Sequence, residues 1–299
     1  MKDCVIVGGG PGGLSAALVL GRARRSVMLI DDNRPRNAVT HASHGFLTRD
    51  GIEPAAFRRI AYEEVLAYPS VEHLQAEVAD ISKQADGFEI VMKTGERVRT
   101  KKLIMATGLK EVFPEIDGLY DFYGKSLFNC PYCDGWEWRD RPMFLLAEEP
   151  VILHMAKLLY NWSQDLIVCT NGKPLLSVEE RKMLEAKHIQ VIESPVVAFE
   201  GQNGLLEQIV LADGSRMKRS AGFVIPKWQP KADFSKQLGY AVTENGGIAT
   251  DAMGRSTIAG LYAAGDAAYV RPSQLIYAAS DGYKTAVTVN TELSEEPFA

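Results

Sequence analysis

The stretch Cys4-Val5-Ile6-Val7-Gly8-Gly9-Gly10-Pro11-Gly12-Gly13-Leu14 decides the fold. Its apolar start is a short strand, the glycine run is a turn, and Leu14 to Leu20 continues with helical spacing. A further strand follows from Ser26 to Ile30, and Asp31 stands at its end. This is a βαβ unit with Gly8, Gly10 and Gly13 in a G-x-G-x-x-G turn. In such a turn the first glycine permits the bend and the second lets a pyrophosphate approach the backbone at the positive helix N-terminus. The third lets helix and strand pack closely, and an acid after the second strand accepts from a ribose hydroxyl. Glycine-rich turns alone are common, so the dinucleotide reading rests on the strand, helix and acid around this one.

Outward from that unit, Asn33 to Gly51 is a polar, turn-rich loop carrying His41 and His44, of a length that compact domains usually reserve for function. Pro54 to Tyr68 is helical in period. Val71 to Arg99 alternates as strands around a Thr94-Gly95 turn, and Lys102 to Gly108 is another buried strand. After a loop-like stretch from Pro114 to Gly124 comes a C-x-x-C segment. Arg141 to Ala147, Val151 to Trp162 and Leu166 to Thr170 then spell a second strand, helix and strand. Val191 to Val224 reads as meandering strands, Pro226 to Asp233 as a connector, and Ser273 to Leu293 as a final helix. The expected fold is α/β: two Rossmann-like, FAD/NAD(P)-binding three-layer domains, the second inserted into the first. Residues 1–112 and 234–299 are expected to form the first, and 113–233 a degenerate pyridine-nucleotide-type domain carrying the cysteine pair.

The turn at Gly8 sees only pyrophosphate and ribose, so the guest's identity must come from elsewhere. The segment Gly260 to Ala268, GLYAAGDAA, predicts a strand running through Gly265-Asp266 into a helix. It would supply a carboxylate and another helix N-terminus to the ribityl and phosphate part of FAD, a contact a nicotinamide cofactor does not need. The simpler alternative for Asp266 is a helix cap.

Cys130-Pro131-Tyr132-Cys133-Asp134-Gly135 carries the chemistry. Vicinal cysteines at a helix N-terminus gain thiolate stabilisation and nucleophilicity. Structural zinc wants four ligands, and the chain has no second C-x-x-C and no downstream His pair at ligand spacing, so no metal is expected. Cys4 and Cys169, inside apolar strands, read as core. Asp134 is a candidate proton donor, with a helix-capping role as its alternative. His44 is a second candidate, because an imidazole titrates near neutrality. Trp136, Trp138 and Trp228 would either wall a groove for an apolar dithiol or fill core.

With 299 residues, 46% hydrophobic and 24% charged, the chain has ample material for a buried core. A net charge of -5 provides no basic footprint for nucleic acid or an anionic membrane. The first residues enter a strand at once, and no apolar run approaches the roughly 18 to 20 residues that span a bilayer, so a cytoplasmic location is expected.

In order along the chain, GGGPGG, Asp31, Ala106-Thr107-Gly108, CPYCDG and Ala263-Ala264-Gly265-Asp266 closely resemble the low-molecular-weight thioredoxin reductase family over nearly the whole sequence. The resemblance implies a homodimer with FAD held by the N- and C-terminal segments. The FAD contacts it implies are Gly8, Gly10, Pro11, Gly12, Gly13, Asp31, Asn37, His44, Val78, Ala106, Thr107, Gly108, Gly265 and Asp266, with Gln274 and Leu275 at the flavin ring. It further implies that Cys133 lies against the flavin, that Cys130 attacks the substrate, and that Asp134 is the acid. The chain departs from the family where a second glycine-rich turn and a basic cluster would hold NADPH. It has Ala147-Glu148-Glu149-Pro150 and, later, Cys169-Thr170-Asn171-Gly172. Carboxylates there repel a pyrophosphate. CPYC, the THASHGFL loop from Thr40 to Leu47 and the degenerate second turn resemble the subgroup of dithiol oxidases of disulfide-bearing natural products. Asp134 in place of a His is the reductase pattern. The expected function is therefore an FAD-dependent thiol-disulfide oxidoreductase acting on a small dithiol or disulfide, or on a thioredoxin-like protein. An NADPH- or ferredoxin-dependent reductase and a flavin-bound redox sensor are the alternatives.

Overall fold

A computed structural model of the chain describes residues 1–270 and 274–298. The first seven strands are β1 (Lys2–Val7), β2 (Val27–Asp31), β3 (Val71–Gln75), β4 (Val78–Gln84), β5 (Gly87–Met92), β6 (Arg97–Met105) and β7 (Leu109–Val112). Helices α1 (Pro11–Arg22) and α2 (Pro54–Leu66) lie among them. Next come α3 (Leu119–Phe122), β8 (Leu127–Phe128), α4 (Pro131–Asp134), β9 (Met143–Leu146), α5 (Ile152–Leu159), β10 (Leu166–Cys169), α6 (Val178–Glu185) and β11 (Gln190–Ile192). The rest are β12 (Val196–Gln202), β13 (Leu205–Leu211), β14 (Arg216–Lys218), β15 (Ala221–Val224), β16 (Lys227–Pro230), α7 (Ser235–Leu238), β17 (Leu261–Ala263) and α8 (Leu275–Glu295). The chain divides into two units: Met1–Ala38, Gly45–Glu111 and Trp228–Ala299 form one, Val39–His44 and Val112–Lys227 the other.

The first unit is built on the sheet β3-β2-β1-β6-β5-β4, with β17 also on β6. β1 sits between β2 and β6, parallel to both, and Cys4 to Val7 are buried on both faces, which explains a continuous apolar run where a half-exposed strand would alternate. β6 is long enough to divide one of its edges. Its first half pairs antiparallel with β5, Phe88 opposite Thr100, and its second half takes β17 in parallel, Leu261 opposite Leu103. That vacant half-edge is where the C-terminal segment re-enters the sheet. On one face α1 and α8 pack through Ala16, Ala17, Ala286 and Val289. The other face is covered by Phe234, Leu238, Tyr240 and Ile248. Arg25 ties the turn after α1 to α8, donating to Asn290 Oδ1 at 2.7 Å.

The second unit has the parallel sheet β11-β10-β9-β15-β8 beside an antiparallel sheet β12-β13-β14. β9, β10 and β15 are buried throughout. The meander expected over Val191 to Val224 is therefore confined to its middle. β15, the apolar run Ala221–Val224, leaves the hairpins and inserts between β9 and β8, because four consecutive buried residues suit a sheet covered on both faces. Part of the expected connector from Pro226 to Asp233 is likewise a strand, β16, paired with β7. The expected domain boundary at 233/234 falls instead at 227/228. Lys231 Nζ bonds Asp32 Oδ1 at 3.0 Å and the Arg34 carbonyl at 3.0 Å, which holds this segment to the first unit. The start of the final helix expected at Ser273 lies outside the described residues; α8 begins at Leu275 with Gln274 as its N-cap.

Candidate functional site

α1 starts at Pro11, whose fixed φ suits a first helical position, directly after the glycine turn. Gly8 has φ +114, a conformation closed to most side chains, and a Cβ on Gly13 would strike the carbonyl oxygen of Gly8. The helix start is thereby pressed onto the end of β1. It opens into a cavity of about 490 Å³ in the first unit. Of the expected cofactor residues, Gly8, Gly10, Pro11, Gly12, Asp31, Asn37, Val78, Ala106, Thr107, Gly108, Gly265, Asp266, Gln274 and Leu275 all line it. Gly13 does not; its work is the packing just described. His44 does not either: it lies in the second unit.

Asp31 is a hub of this cradle. Its Oδ1 accepts from the Gly9 N–H at 2.9 Å, and its Oδ2 accepts from Arg58 Nη2 at 2.8 Å, the Asn33 N–H at 3.1 Å and Tyr62 Oη at 3.2 Å. Burial would raise the Asp31 carboxyl, but the bond from Arg58 and the amide of Gly9 hold it below the usual carboxylate range. Arg58 also donates to the Gly9 carbonyl at 2.6 Å and to Asn33 Oδ1 at 3.0 Å. Neither Arg58 nor Tyr62 stands out in the sequence, since both read as ordinary positions of an amphipathic helix.

At the other end, the expected helix after Gly265-Asp266 is a single 3-10 turn, Gly265–Ala267. Asp266 Oδ2 lies 3.7 Å from Arg36 Nη2, and Arg36 bonds Glu111 at 3.0 Å and covers the Trp228 ring. The cavity thus runs from acid-rimmed walls at Asp31 and Asp32, past the N-terminus of α1, to Asp266, Gln274 and Leu275. An elongated dinucleotide with a central pyrophosphate fits that order of groups.

In the second unit Cys130 and Cys133 form a disulfide with Cα atoms 5.4 Å apart. The helix expected to follow is one turn, with Cys130 as its N-cap. Tyr132, between the two sulfurs, is 67% exposed and meets Trp162 edge-on at 5.5 Å. Gly135 lies under the Trp162 ring. Burial pushes the Asp134 carboxyl up to about 7, and the nearby charge of Glu137 adds to the rise. Glu137 Oε1 is 3.6 Å from His44 Nε2. Trp136 is exposed under the guanidinium of Arg139, whereas Trp138 packs on Phe128 in the core. Cys4 and Cys169 are buried, and burial raises both thiols, that of Cys169 to about 12, so neither is a nucleophile at neutral pH.

The second turn is closed by its own side chains. Glu148 Oε1 accepts from Asn171 Nδ2 at 2.5 Å, and Asn171 Oδ1 accepts from the Val196 N–H at 3.0 Å. The Glu149 carbonyl accepts from the Ile152 N–H at 3.1 Å.

A family model described as pyridine nucleotide-disulphide oxidoreductase matches residues 2–282. A protein named probable thioredoxin reductase from Arthroderma benhamiae is 30% identical, the match covering 98% of this chain and 81% of that one. The crystal structure of a putative thioredoxin reductase from Bacillus anthracis superposes with a TM-score of 0.96 at 43% identity, covering 99% of this chain and 100% of that one. The structure of HlmI gives 0.94 at 34% identity, covering 99% and 94%. The chain belongs to the pyridine nucleotide-disulphide oxidoreductase family, on its thioredoxin reductase-like branch.

Proposed function

We propose that this chain is an FAD-dependent dithiol oxidase: it takes two electrons from a dithiol through Cys130 and Cys133 and passes them to the flavin, without binding NADPH in the family's usual way. The glycine cradle, Asp31, Asp266, Gln274 and Leu275 would hold FAD, which when bound accepts the electron pair and returns it to an acceptor such as oxygen. The cysteine chemistry balances within the chain. A substrate thiolate attacks Cys130 Sγ, the Cys130–Cys133 bond breaks, and Cys133 leaves as a thiolate that takes a proton from Asp134. The second substrate thiolate then displaces Cys130, giving a substrate disulfide and an enzyme dithiol.

The observation that carries the direction of flow is the Glu148–Asn171 bond. Where a second pyrophosphate would need bare backbone amides, this chain has a carboxylate already engaged, with Glu149 beside it, and like charge disfavours a phosphate. Anaerobic stopped-flow reduction of the flavin by NADPH, NADH, reduced ferredoxin and small dithiols, compared side by side, tests the proposal. Small dithiols should bleach the flavin and micromolar NADPH should not; rapid bleaching by NADPH overturns it. The second reading, an NADPH-dependent reductase, is favoured by Asp134 and is separated by the same titration. A non-catalytic sensor would show no turnover to lose in Cys130→Ser and Cys133→Ser.

A homodimer is part of this reading. Ile276, Tyr277, Tyr283 and Val287 leave an exposed apolar stripe along α8, the kind of surface a second copy covers. No described helix is long and apolar enough to cross a membrane, and we place the protein in the cytoplasm.

A further inference from the structure

Each electron pair that enters the Cys130–Cys133 disulfide must be matched by protons, and those protons must later leave for water. Asp134 follows Cys133 directly, but its carboxyl is half-buried, and no hydrogen bond or ion pair links it to a solvent-facing group among the described residues. The group that acts on it electrostatically is Glu137, one turn further on, whose side chain is 42% exposed. Glu137 in turn faces His44, brought to it from the loop after β2, with Nε2 at 3.6 Å from Oε1 and the imidazole 24% exposed. The neighbouring cations are engaged elsewhere: Arg139 lies on the Trp136 ring at 3.9 Å and Arg141 on the Trp138 ring at 4.8 Å.

We infer that Glu137 and His44 form a carboxylate–imidazole pair that relays protons between Asp134 and solvent, with Glu137 as the positioning residue. The inference rests on the thiol-disulfide reading of Cys130 and Cys133. Glu137 and His44 are both more open to water than a buried group, and Asp134, next to Cys133 in the chain, is itself only partly exposed. The negative charge at Glu137 favours the protonated form of Asp134, which keeps a proton beside Cys133. An imidazole suits the solvent-side step because it both takes up and releases a proton near neutral pH. In the step itself, Asp134 gives its proton to the Cys133 thiolate and recovers one from His44. In the reverse half-reaction the proton returns the same way, and no redox partner is needed beyond the dithiol and the flavin.

The test uses the FAD-loaded full chain under anaerobiosis, reduced by dithiothreitol between about pH 5.5 and 9. Flavin absorbance is read alongside proton movement from an indicator dye in weak buffer. Glu137→Gln should move the limb belonging to Asp134 to lower pH by roughly half a unit to one unit, the size expected for loss of one partly screened charge. His44→Asn should slow proton movement at least about fivefold relative to electron movement, and added imidazole should restore it. The relay is overturned if the Glu137→Gln profile superimposes on that of the parent while Asp134→Asn has lost the limb. It is equally overturned if imidazole leaves His44→Asn unchanged. Dithiothreitol reducing the flavin of Cys133→Ser at the parent rate would instead overturn the thiol-disulfide reading beneath it. Glu137 and His44 are both partly exposed, so these substitutions keep the fold.

Discussion

Arg58 clasps Asp31 from across the cradle: one guanidinium nitrogen donates to the carboxylate at 2.8 Å while the other holds the Gly9 carbonyl at 2.6 Å. The side chains are 12% and 8% exposed, so the pair is nearly dry. Taking away one member of such a pair leaves the other buried and uncompensated, at a cost on the order of 3 kcal/mol. Arg58→Met is therefore expected to lower the thermal midpoint by several degrees and to release FAD readily, because the glycine turn loses its brace. Arg58→Lys, which reaches only one of the partners, should fall between. Flavin fluorescence on dilution and the melting curve of the apoprotein measure the two effects, and FAD retention equal to the parent in Arg58→Met would refute the bracing role.

Asp134 gives a pH dependence of opposite sign to that of an ordinary paired carboxylate. Its folded-state value of about 7 lies well above the ordinary aspartate value of about 3.9. The folded protein binds more protons than the unfolded chain between those limits, so stability is highest at low pH and falls as pH rises through that window. The loss amounts to a few kcal/mol. Asp134→Asn, neutral in both states, should unfold at higher urea than the parent at pH 8, and the difference should shrink steadily as the pH is lowered to 5 and below. The same variant should reduce its flavin more slowly with dithiols and lose the limb near neutral pH. A parent and variant that respond identically to pH would show that Asp134 is ionised in the folded protein.

The features legible in the sequence are those fixed by local backbone geometry. Gly8 to Gly13 announces its turn because the bend and the close packing are demands of neighbouring residues on one another, and Asp31 follows from the strand that the turn feeds. Arg58 is invisible by the same logic. It meets Gly9 across 49 residues, and its meaning depends on where α2 is laid down. Glu137 and His44 meet only through the fold for the same reason, although His44 alone is noticeable as an imidazole in a long loop. Ala221–Val224 was expected among the hairpins because periodicity tells strand from helix but not which sheet a buried strand will join. The residues after Gly265 show a different limit: an apolar, alanine-rich stretch promises a helix, and the structure stops it after one 3-10 turn.

The two cysteines should separate by role under substitution. Cys133→Ser leaves Cys130 as the sole sulfur of the pair, able to form a stable mixed disulfide with a substrate disulfide but unable to resolve it. Cys130→Ser removes the attacked position. Mass spectrometry after incubation with an oxidised small dithiol should find the adduct on Cys133→Ser in far higher yield than on Cys130→Ser. Both variants should fold, because a ring closed over a sequence separation of 3 contributes no more than about 2 kcal/mol. Equal adduct yields would remove the division of labour between the sulfurs.

The closed second turn makes a prediction about what restoring it requires. Glu148→Gln keeps an acceptor for Asn171 but removes the charge, so it should cost about 1 kcal/mol or less in stability. It should not create an NADPH site, because a pyrophosphate needs backbone amides at close range and a 2′-phosphate needs cations, and Ala147-Gln-Glu149-Pro150 offers neither. Replacing Glu148, Glu149 and Pro150 by glycine or alanine removes the repulsion and opens the start of α5, but it also removes the Glu148–Asn171 bond that joins the turns after β9 and β10. That variant is expected to be less stable by about 1 to 3 kcal/mol and to gain measurable flavin reduction by millimolar NADPH. Anaerobic bleaching of the flavin in the single and triple variants decides the matter. If the single change Glu148→Gln confers rapid reduction by micromolar NADPH, the charge at this one position was the whole barrier, and the chain is a reductase with a masked site.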